Sequence, residues 1–180
     1  SVAAAPGGTQ ERIALCRTVE LALKGDHNVL NSLATAAAAA AAGVPVAAIV
    51  ATLRAFPGVR HRLQVVDEVG GVLYVNDSKA TNVDAALKAL TAYRGPVYMI
   101  LGGSLKGASF AALAAGTEGR VKQALLIGQA APLLEEAFAR RVAEAPRAAT
   151  PYVVLDDLTA AVRFAAAAAV PGDVVLLSPA

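Results

Sequence analysis

Two kinds of hydrophobic pattern divide the chain. From Asn28 to Ala42 the apolar positions run on in a helical stretch dominated by alanine, stopped by Gly43. A second such stretch begins at Val44-Pro45, with proline near its first turn, and runs to about Phe56 before Pro57-Gly58 breaks it. Asp26 or Asn28 is the cap expected for the first helix. Upstream, Ile13 to Leu23 has a strand-like or mixed character, and Lys24-Gly25-Asp26 reads as a turn. Beyond Pro57-Gly58 the apolar runs shorten. Leu63 to Val66 and Val72 to Val75 are strand-length runs separated by Gly70-Gly71, a hairpin signal. Pro96 to Leu101, Gln123 to Ile127, Tyr152 to Leu155 and Val174 to Leu177 are further strands. The first of these is nearly all apolar, as a strand buried on both faces should be. Helical patterns fill the intervals: Asn82 to Tyr93, Ser109 to Ala115, Ala131 to Val142, and from a cap at Asp156 or Asp157 to Val170.

Strands alternating with helices predict an α/β fold: a Rossmann-like, mostly parallel sheet with helices on both faces, over residues 58–180. Residues 1–57 read as the helical tail of a different domain, with the boundary at Pro57-Gly58. The last strand runs into Ser178-Pro179-Ala180, where the sequence stops. Open α/β sheets bind ligands beyond the carboxyl ends of their strands. The loop that should help complete such a site is missing, which reads as a truncated piece.

Composition narrows the function. Hydrophobic residues make up 56% of the 180, enough for a sizeable core. Sixteen basic against 14 acidic residues leave a net charge of +2, with no run of five like charges. That pattern lacks the footprint of a nucleic-acid or anionic-membrane binder. Aromatics at 4% speak against base stacking. Cys16 is the only cysteine, has no evident activating neighbour and suits a reducing compartment. The alanine run Ala36–Ala42 is too short to span a bilayer, and no signal peptide is evident.

Four segments carry candidate chemistry. Asn76-Asp77-Ser78-Lys79-Ala80-Thr81-Asn82 places a carboxylate, an ammonium, two hydroxyls and two amides between a strand end and a helix start. Asp77 can accept hydrogen bonds from a ribose diol, and Lys79 can meet a phosphate or carboxylate as a point charge. Thr81 and the first amides of the following helix can hold an anion. A plain capping turn is the competing reading, though a cap needs only one such residue. Leu101-Gly102-Gly103-Ser104-Leu105-Lys106-Gly107 lets a ligand approach the backbone, with Lys106 placed for a carboxylate; a tight turn competes. It matches neither the phosphate loop nor the dinucleotide fingerprint. Asn28 and Asn31, three apart on one helical face, have the amides to read an adenine edge, and capping competes for Asn28. His61-Arg62 offers a bidentate phosphate ligand, against the default of a surface arginine. His27 and His61 are a weak metal signal.

Taken in this order, the segments resemble the Mur ligase family. The matching stretches are Gly25-Asp26-His27-Asn28-Val29-Leu30-Asn31, Gly58-Val59-Arg60-His61-Arg62-Leu63, Asn76 to Asn82, Gly102 to Phe110, and Pro171 to Ala180. The resemblance is to its D-glutamate-adding members, because sister ligases and folylpolyglutamate synthases carry motifs such as Asp-Tyr-Ala-His or Tyr-Asn-Ala-Asn where this chain has Asn-Asp-Ser-Lys-Ala-Thr-Asn. It implies a cytoplasmic step of peptidoglycan synthesis. ATP phosphorylates the terminal carboxylate of UDP-N-acetylmuramoyl-L-alanine, and the amine of D-glutamate attacks the acyl phosphate. By the same resemblance Asn28 and Asn31 bind adenine, Arg62 the ATP phosphates and Asp77 the ribose. Lys79 lies near the transferring phosphate and acyl group, and Thr81 and Lys106 hold the D-glutamate carboxylate. Residues 1–57 are then the end of the central ATP-binding domain and the protein is a monomer. Mg2+ is implied as well, with ligands outside this chain; no metal ligand is assigned within it.

The family's phosphate loop, Gly-Thr-Asn-Gly-Lys-Thr/Ser, is absent, as are its magnesium-binding acid and histidine, its carbamylated lysine, its UDP-binding domain and the Cys-Ala-Ser loop that follows Ser-Pro-Ala. The alternatives are another Mur ligase or a folylpolyglutamate synthase-like ligase, a dinucleotide-binding dehydrogenase domain, which neither glycine loop fits, and an interaction module without chemistry. The isolated chain is therefore expected to form no amide. Mixed with ATP, UDP-N-acetylmuramoyl-L-alanine and D-glutamate, it should release phosphate no faster than a blank, and a rate above that blank would contradict the reading.

Overall fold

The computed structural model describes residues 13–23, 25–103 and 109–180. Among these residues the chain forms two compact units, one up to Gly58 and one from Val59 to Ala180.

The first unit holds two helices, α1 (Asp26–Ala41) and α2 (Val46–Ala55). The strand-like expectation for Ile13 to Leu23 is not met: Ile13 makes one isolated bridge and Thr18–Glu20 form a 3-10 turn. The carboxylate of Glu20 accepts the Arg17 N–H at 2.8 Å and pairs with Arg54 at 2.7 Å, so this segment spends its polar groups on local turns. Neither Asp26 nor Asn28 is the cap of α1. The chain turns at Gly25 (φ 97°), whose carbonyl receives the Asn28 and Val29 N–H groups, and the helix has already begun at Asp26.

The second unit is a six-stranded sheet in the order β1-β2-β6-β3-β4-β5. Its strands are β1 (Gln64–Val69), β2 (Val72–Asn76), β3 (Val97–Gly102), β4 (Val121–Ile127), β5 (Tyr152–Val154) and β6 (Val174–Leu177). Only the β1–β2 pair is antiparallel; every other neighbouring pair is parallel. Gly70 and Gly71, at φ 59° and 77°, form the hairpin turn, the conformation a two-residue primed turn requires. The helices are α3 (Val83–Thr91), α4 (Ala111–Gly116), α5 (Ala131–Glu144) and α6 (Leu158–Ala168).

The strand order explains the layering. From β2 to β5 the chain winds in one direction across the sheet, and from β5 it returns to β6 at the centre. Right-handed crossovers that reverse direction put their helices on opposite faces. Accordingly Ala86 and Leu90 of α3, Leu113 of α4 and Leu134 and Phe138 of α5 share one core with Val75, Met99, Leu101 and Leu126. Ala161 and Ala165 of α6 join the other, with Tyr98, Ile100, Leu125 and Val175. The fully buried Leu126 is the kind of side chain whose truncation to alanine costs about 2–5 kcal/mol.

At the amino ends of the strands, the buried Asp173 carboxylate accepts the Val170 N–H and the Lys122 ammonium, each at 2.9 Å. Burial pushes this carboxyl up, but the Val170 N–H and the Lys122 ammonium outweigh it and hold it below the usual range. A carboxylate with a depressed folded pKa stabilises above its unfolded value and loses that contribution as the pH falls through the folded one. Asp173→Asn should lower the melting temperature at pH 7 by roughly 4–8 °C. The gap to the parent should narrow in thermal melts taken below about pH 4. A gap that stays constant down to pH 3 would show that the charge on Asp173 contributes nothing.

Candidate functional site

The site grows from the carboxyl ends of β2, β6 and β3, where an open parallel sheet presents its loops. After β2, the Asp77 N–H bonds the Leu177 carbonyl at 2.8 Å, extending the ladder one residue beyond the strand. The Asp77 side chain is 5% exposed. One carboxylate oxygen accepts the Leu63 N–H at 3.0 Å and the other the Ser178 hydroxyl at 3.3 Å. Three separate segments, the turn before β1, the loop after β2 and the tail after β6, therefore meet on one buried carboxylate. The tail is laced further: Gly102 N–H to Pro179 O at 3.0 Å, Ser178 N–H to Ile100 O at 3.1 Å, and Ala180 N–H to Ala80 O at 3.1 Å.

Within Asn76–Asn82 the polar residues have divided their duties. Asn82 caps α3, its side-chain oxygen accepting the Ala85 N–H at 2.8 Å. The Asn76 side-chain oxygen accepts the Ser78 N–H at 3.0 Å and turns the loop. Asp77 ties the segments, leaving Ser78, Lys79 and Thr81 exposed. One residue of this stretch thus caps a helix, and Ser78, Lys79 and Thr81 present side chains to solvent.

Arg62 is brought to the same place. The Lys79 N–H bonds the His61 carbonyl at 3.0 Å, so the turn carrying Arg62 and the turn carrying Lys79 are joined by their backbones. Both cationic side chains are exposed. His61 and Leu63 hold left-handed backbone, φ 65° and 43°. Such a conformation costs a non-glycine residue about 1–2 kcal/mol. It is held by Arg62 N–H to Val59 O at 3.1 Å, His61 N–H to the Gln64 side chain at 2.9 Å, and the Leu63 tie to Asp77. The Asn76 side-chain nitrogen meets His61 Nδ1 at 3.1 Å. The Tyr93 phenol is pushed up to about 12, first by burial and then by the negative charge of Asp77.

The remaining candidates stand elsewhere. Asn28 and Asn31 lie in the opening turns of α1, in the first unit, Asn28 half-buried and Asn31 exposed. Lys106, with residues 104–108 of the glycine-rich loop, lies outside the described residues. The start of that loop has a structural reason for glycine: a Cβ on Gly102 would run into the carbonyl oxygen of Ile127 on the neighbouring strand. Ser178 and Asn76 received no role from the sequence, and His61 only a weak metal signal. Among the described residues no group of three or more His, Cys, Asp or Glu gathers to hold a metal ion. None of the described helices is long and apolar enough to cross a membrane.

Cavity size does not mark the site. A cavity of about 630 Å³, lined by Arg94, Pro96, Arg120 and Lys122 among others, opens at the opposite, amino ends of β3 and β4. Two of its cations serve the fold: Arg120 donates to the Leu90 and Tyr93 carbonyls, and Lys122 pairs with Asp173.

Comparison with known proteins fits this geometry. The family described as Mur ligase, glutamate ligase domain, matches residues 61–180. A UDP-N-acetylmuramoylalanine–D-glutamate ligase of Pelotomaculum thermopropionicum is 46% identical over 171 residues, covering 94% of this chain and 36% of the relative. The protein of the same name from Solibacter usitatus is 48% identical over 161 residues, covering 89% and 35%. The chain thus spans about a third of the length of these relatives. Among solved structures, a UDP-N-acetylmuramate-alanine ligase from Thermotoga maritima aligns with a TM-score of 0.65 at 15% identity, covering 87% of this chain and 35% of that one. A UDP-N-acetylmuramoylalanyl-D-glutamyl-2,6-diaminopimelate–D-alanyl-D-alanyl ligase from Acinetobacter baumannii aligns at 0.60 and 23% identity, covering 85% and 33%. At these identities the structural likeness speaks for the fold. The family match over the whole sheet unit, together with relatives of this identity over most of the sequence, shows that the chain belongs to the Mur ligase family.

Proposed function

We propose that this chain forms the nucleotide- and amino-acid-binding wall of an ATP-dependent ligase that joins D-glutamate to UDP-N-acetylmuramoyl-L-alanine in the cytoplasm. The observation that carries the reading is the pair of exposed cations, Arg62 and Lys79, on backbone-joined turns at the carboxyl ends of the parallel strands. The names of the relatives support the choice of amino acid and acceptor.

The chemistry suits the residues. Transfer of a phosphoryl group to a carboxylate gathers negative charge on the moving phosphoryl and on the leaving diphosphate. Preformed cations stabilise that charge most where it peaks. Arg62 has the planar fork for two phosphate oxygens, and Lys79 the compact charge for the transferring group and the acyl oxygen. The amine of D-glutamate then attacks the acyl carbon, the tetrahedral intermediate collapses to the amide and phosphate leaves. Thr81, beside Lys79, is assigned with Lys106 to the D-glutamate carboxylate. Asn28 and Asn31 are assigned to adenine. Asp77 is assigned to the ribose, whose two hydroxyls a carboxylate can accept from. The first unit is read as the C-terminal part of a central ATP-binding domain, and the protein as a monomer. Magnesium is assigned no ligand in this chain.

In a full-length protein containing this sequence, Lys79→Ala should lower kcat by about 10²–10³-fold while leaving KM for ATP within a few-fold. Thr81→Ala should instead raise KM for D-glutamate by about tenfold with little change in KM for ATP, the loss expected of one hydrogen bond to a charged group. Steady-state kinetics with each substrate varied in turn separates the two, and an unchanged kcat in Lys79→Ala would overturn its assignment. In the chain by itself, Asp77→Ala should cost about 1–3 kcal/mol by stranding the Leu63 N–H and the Ser178 hydroxyl. The midpoint of urea unfolding reads that loss, and an unshifted midpoint would show that the tie carries no weight.

A further inference from the structure

The contact between Asn76 and His61 has a defined direction. The Asn76 side-chain oxygen is already fixed, because it accepts the Ser78 N–H at 3.0 Å. Turning the amide over would set its NH2 group against that N–H, donor facing donor. The amide nitrogen therefore faces His61 Nδ1, at 3.1 Å. An amide nitrogen donates and does not accept, so Nδ1 must be the acceptor, and the proton of the neutral ring sits on Nε2. His61 is thus held by its backbone N–H, its carbonyl and its ring, to Gln64, Lys79 and Asn76 respectively. Two of those three bonds come from the end of β2 and the loop after it. They grip a residue in left-handed backbone immediately before Arg62. The carbonyl bond to Lys79 fixes where the peptide lies; the ring bond to Asn76 fixes how the turn is rolled, and with it the direction in which the Arg62 side chain leaves.

We propose that Asn76 is a positioning residue that locks His61 as its Nε2–H tautomer and thereby sets the Arg62 turn for phosphate binding. The inference rests on the reading of Arg62 as a ligand of the ATP phosphates. His61 acts in it through Nδ1, inward, and is a positioning residue too. Histidine at this place supplies a rigid acceptor on a short stem. Asparagine can also put a neutral acceptor near the Nδ1 position, and it tolerates left-handed backbone. Glutamine places its acceptor near Nε2, beyond the reach of Asn76.

Two experiments test this. In the chain without ligand, long-range 1H–15N spectra of His61 should show a pyridine-type Nδ1 and a protonated Nε2, with the resonance assigned by its loss in His61→Asn. Asn76→Asp keeps an acceptor for the Ser78 N–H but turns an acceptor toward the ring, and should move the proton to Nδ1 or add a second one. A His61 spectrum unchanged by Asn76→Asp overturns the clamp. In a full-length protein containing this sequence, His61→Asn should keep KM for ATP within about threefold of the parent, whereas His61→Gln and Asn76→Ala should raise it by about tenfold or more. The reverse order, with His61→Gln the better variant, means that the ring works through Nε2 and overturns the proposal; equal losses in the two His61 variants overturn it as well. Arg62→Ala separates this inference from the reading beneath it. An unchanged KM for ATP in that variant removes Arg62 from the phosphates, and the ligand-free spectra still decide whether Asn76 directs the ring.

Discussion

The site depends on a single buried carboxylate. Asp77 is placed one residue past a strand and closed off from solvent, yet it gathers a backbone N–H from the turn before β1 and a hydroxyl from the tail after β6. A buried carboxylate is tolerable only when its oxygens are occupied, so the need of Asp77 for partners becomes a force that pulls two other segments into place. Remove that demand and the left-handed turn at His61 keeps only its bonds to Lys79 and Asn76 to hold it against the loop after β2. The exposed cations are therefore positioned from beneath: what faces the ligand is held by what is hidden from it. The same charge reaches Tyr93, whose phenol is kept neutral to about pH 12 by burial and by the proximity of Asp77.

Much of the fold was legible in the sequence because it rests on local signals. Every strand and helix expected beyond Pro57-Gly58 is present, with ends that shift by a few residues, as from Gln123 to Val121 at the start of β4. The hairpin at Gly70-Gly71 followed from residue type alone, whereas Asn82, read as the first residue of the helix, is its cap. Where the reading went astray, a nonlocal or backbone preference had taken over. Ile13 to Leu23 has the composition of a strand, but the Arg17 N–H and the Glu20 carboxylate close on each other in a 3-10 turn instead. Asp26 and Asn28 are good caps by type, but Gly25 can turn where they cannot, and the helix started earlier.

The site was legible as a set of residues and not as a division of labour. The sequence brought Asn76–Asn82 and His61-Arg62 forward, and the structure does bring their backbones together. Which side chains remain free to meet a ligand could not be read, because that depends on partners far along the chain: Ser178 is 101 residues from Asp77. Asn76, Asp77 and Asn82 all look like ligands by type, and each is also used by the fold. The residues left facing outward are Ser78, Lys79 and Thr81.

The position of β6 has a consequence for how this unit can come into being. It is the last of the six strands in chain order and stands in the middle of the sheet, between β2 and β3. Until it arrives, β2 and β3 have no edge to share, and the hairpin on one side cannot join the three-strand layer on the other. During synthesis the sheet must therefore wait as two incomplete halves, each with an unpaired inner edge, for a strand that leaves the ribosome after all the others. Ser178, whose hydroxyl is one of the ties on Asp77, follows that strand directly. A chain stopped just short of β6 would carry the exposed residues of the site without the hydroxyl that joins the tail to Asp77.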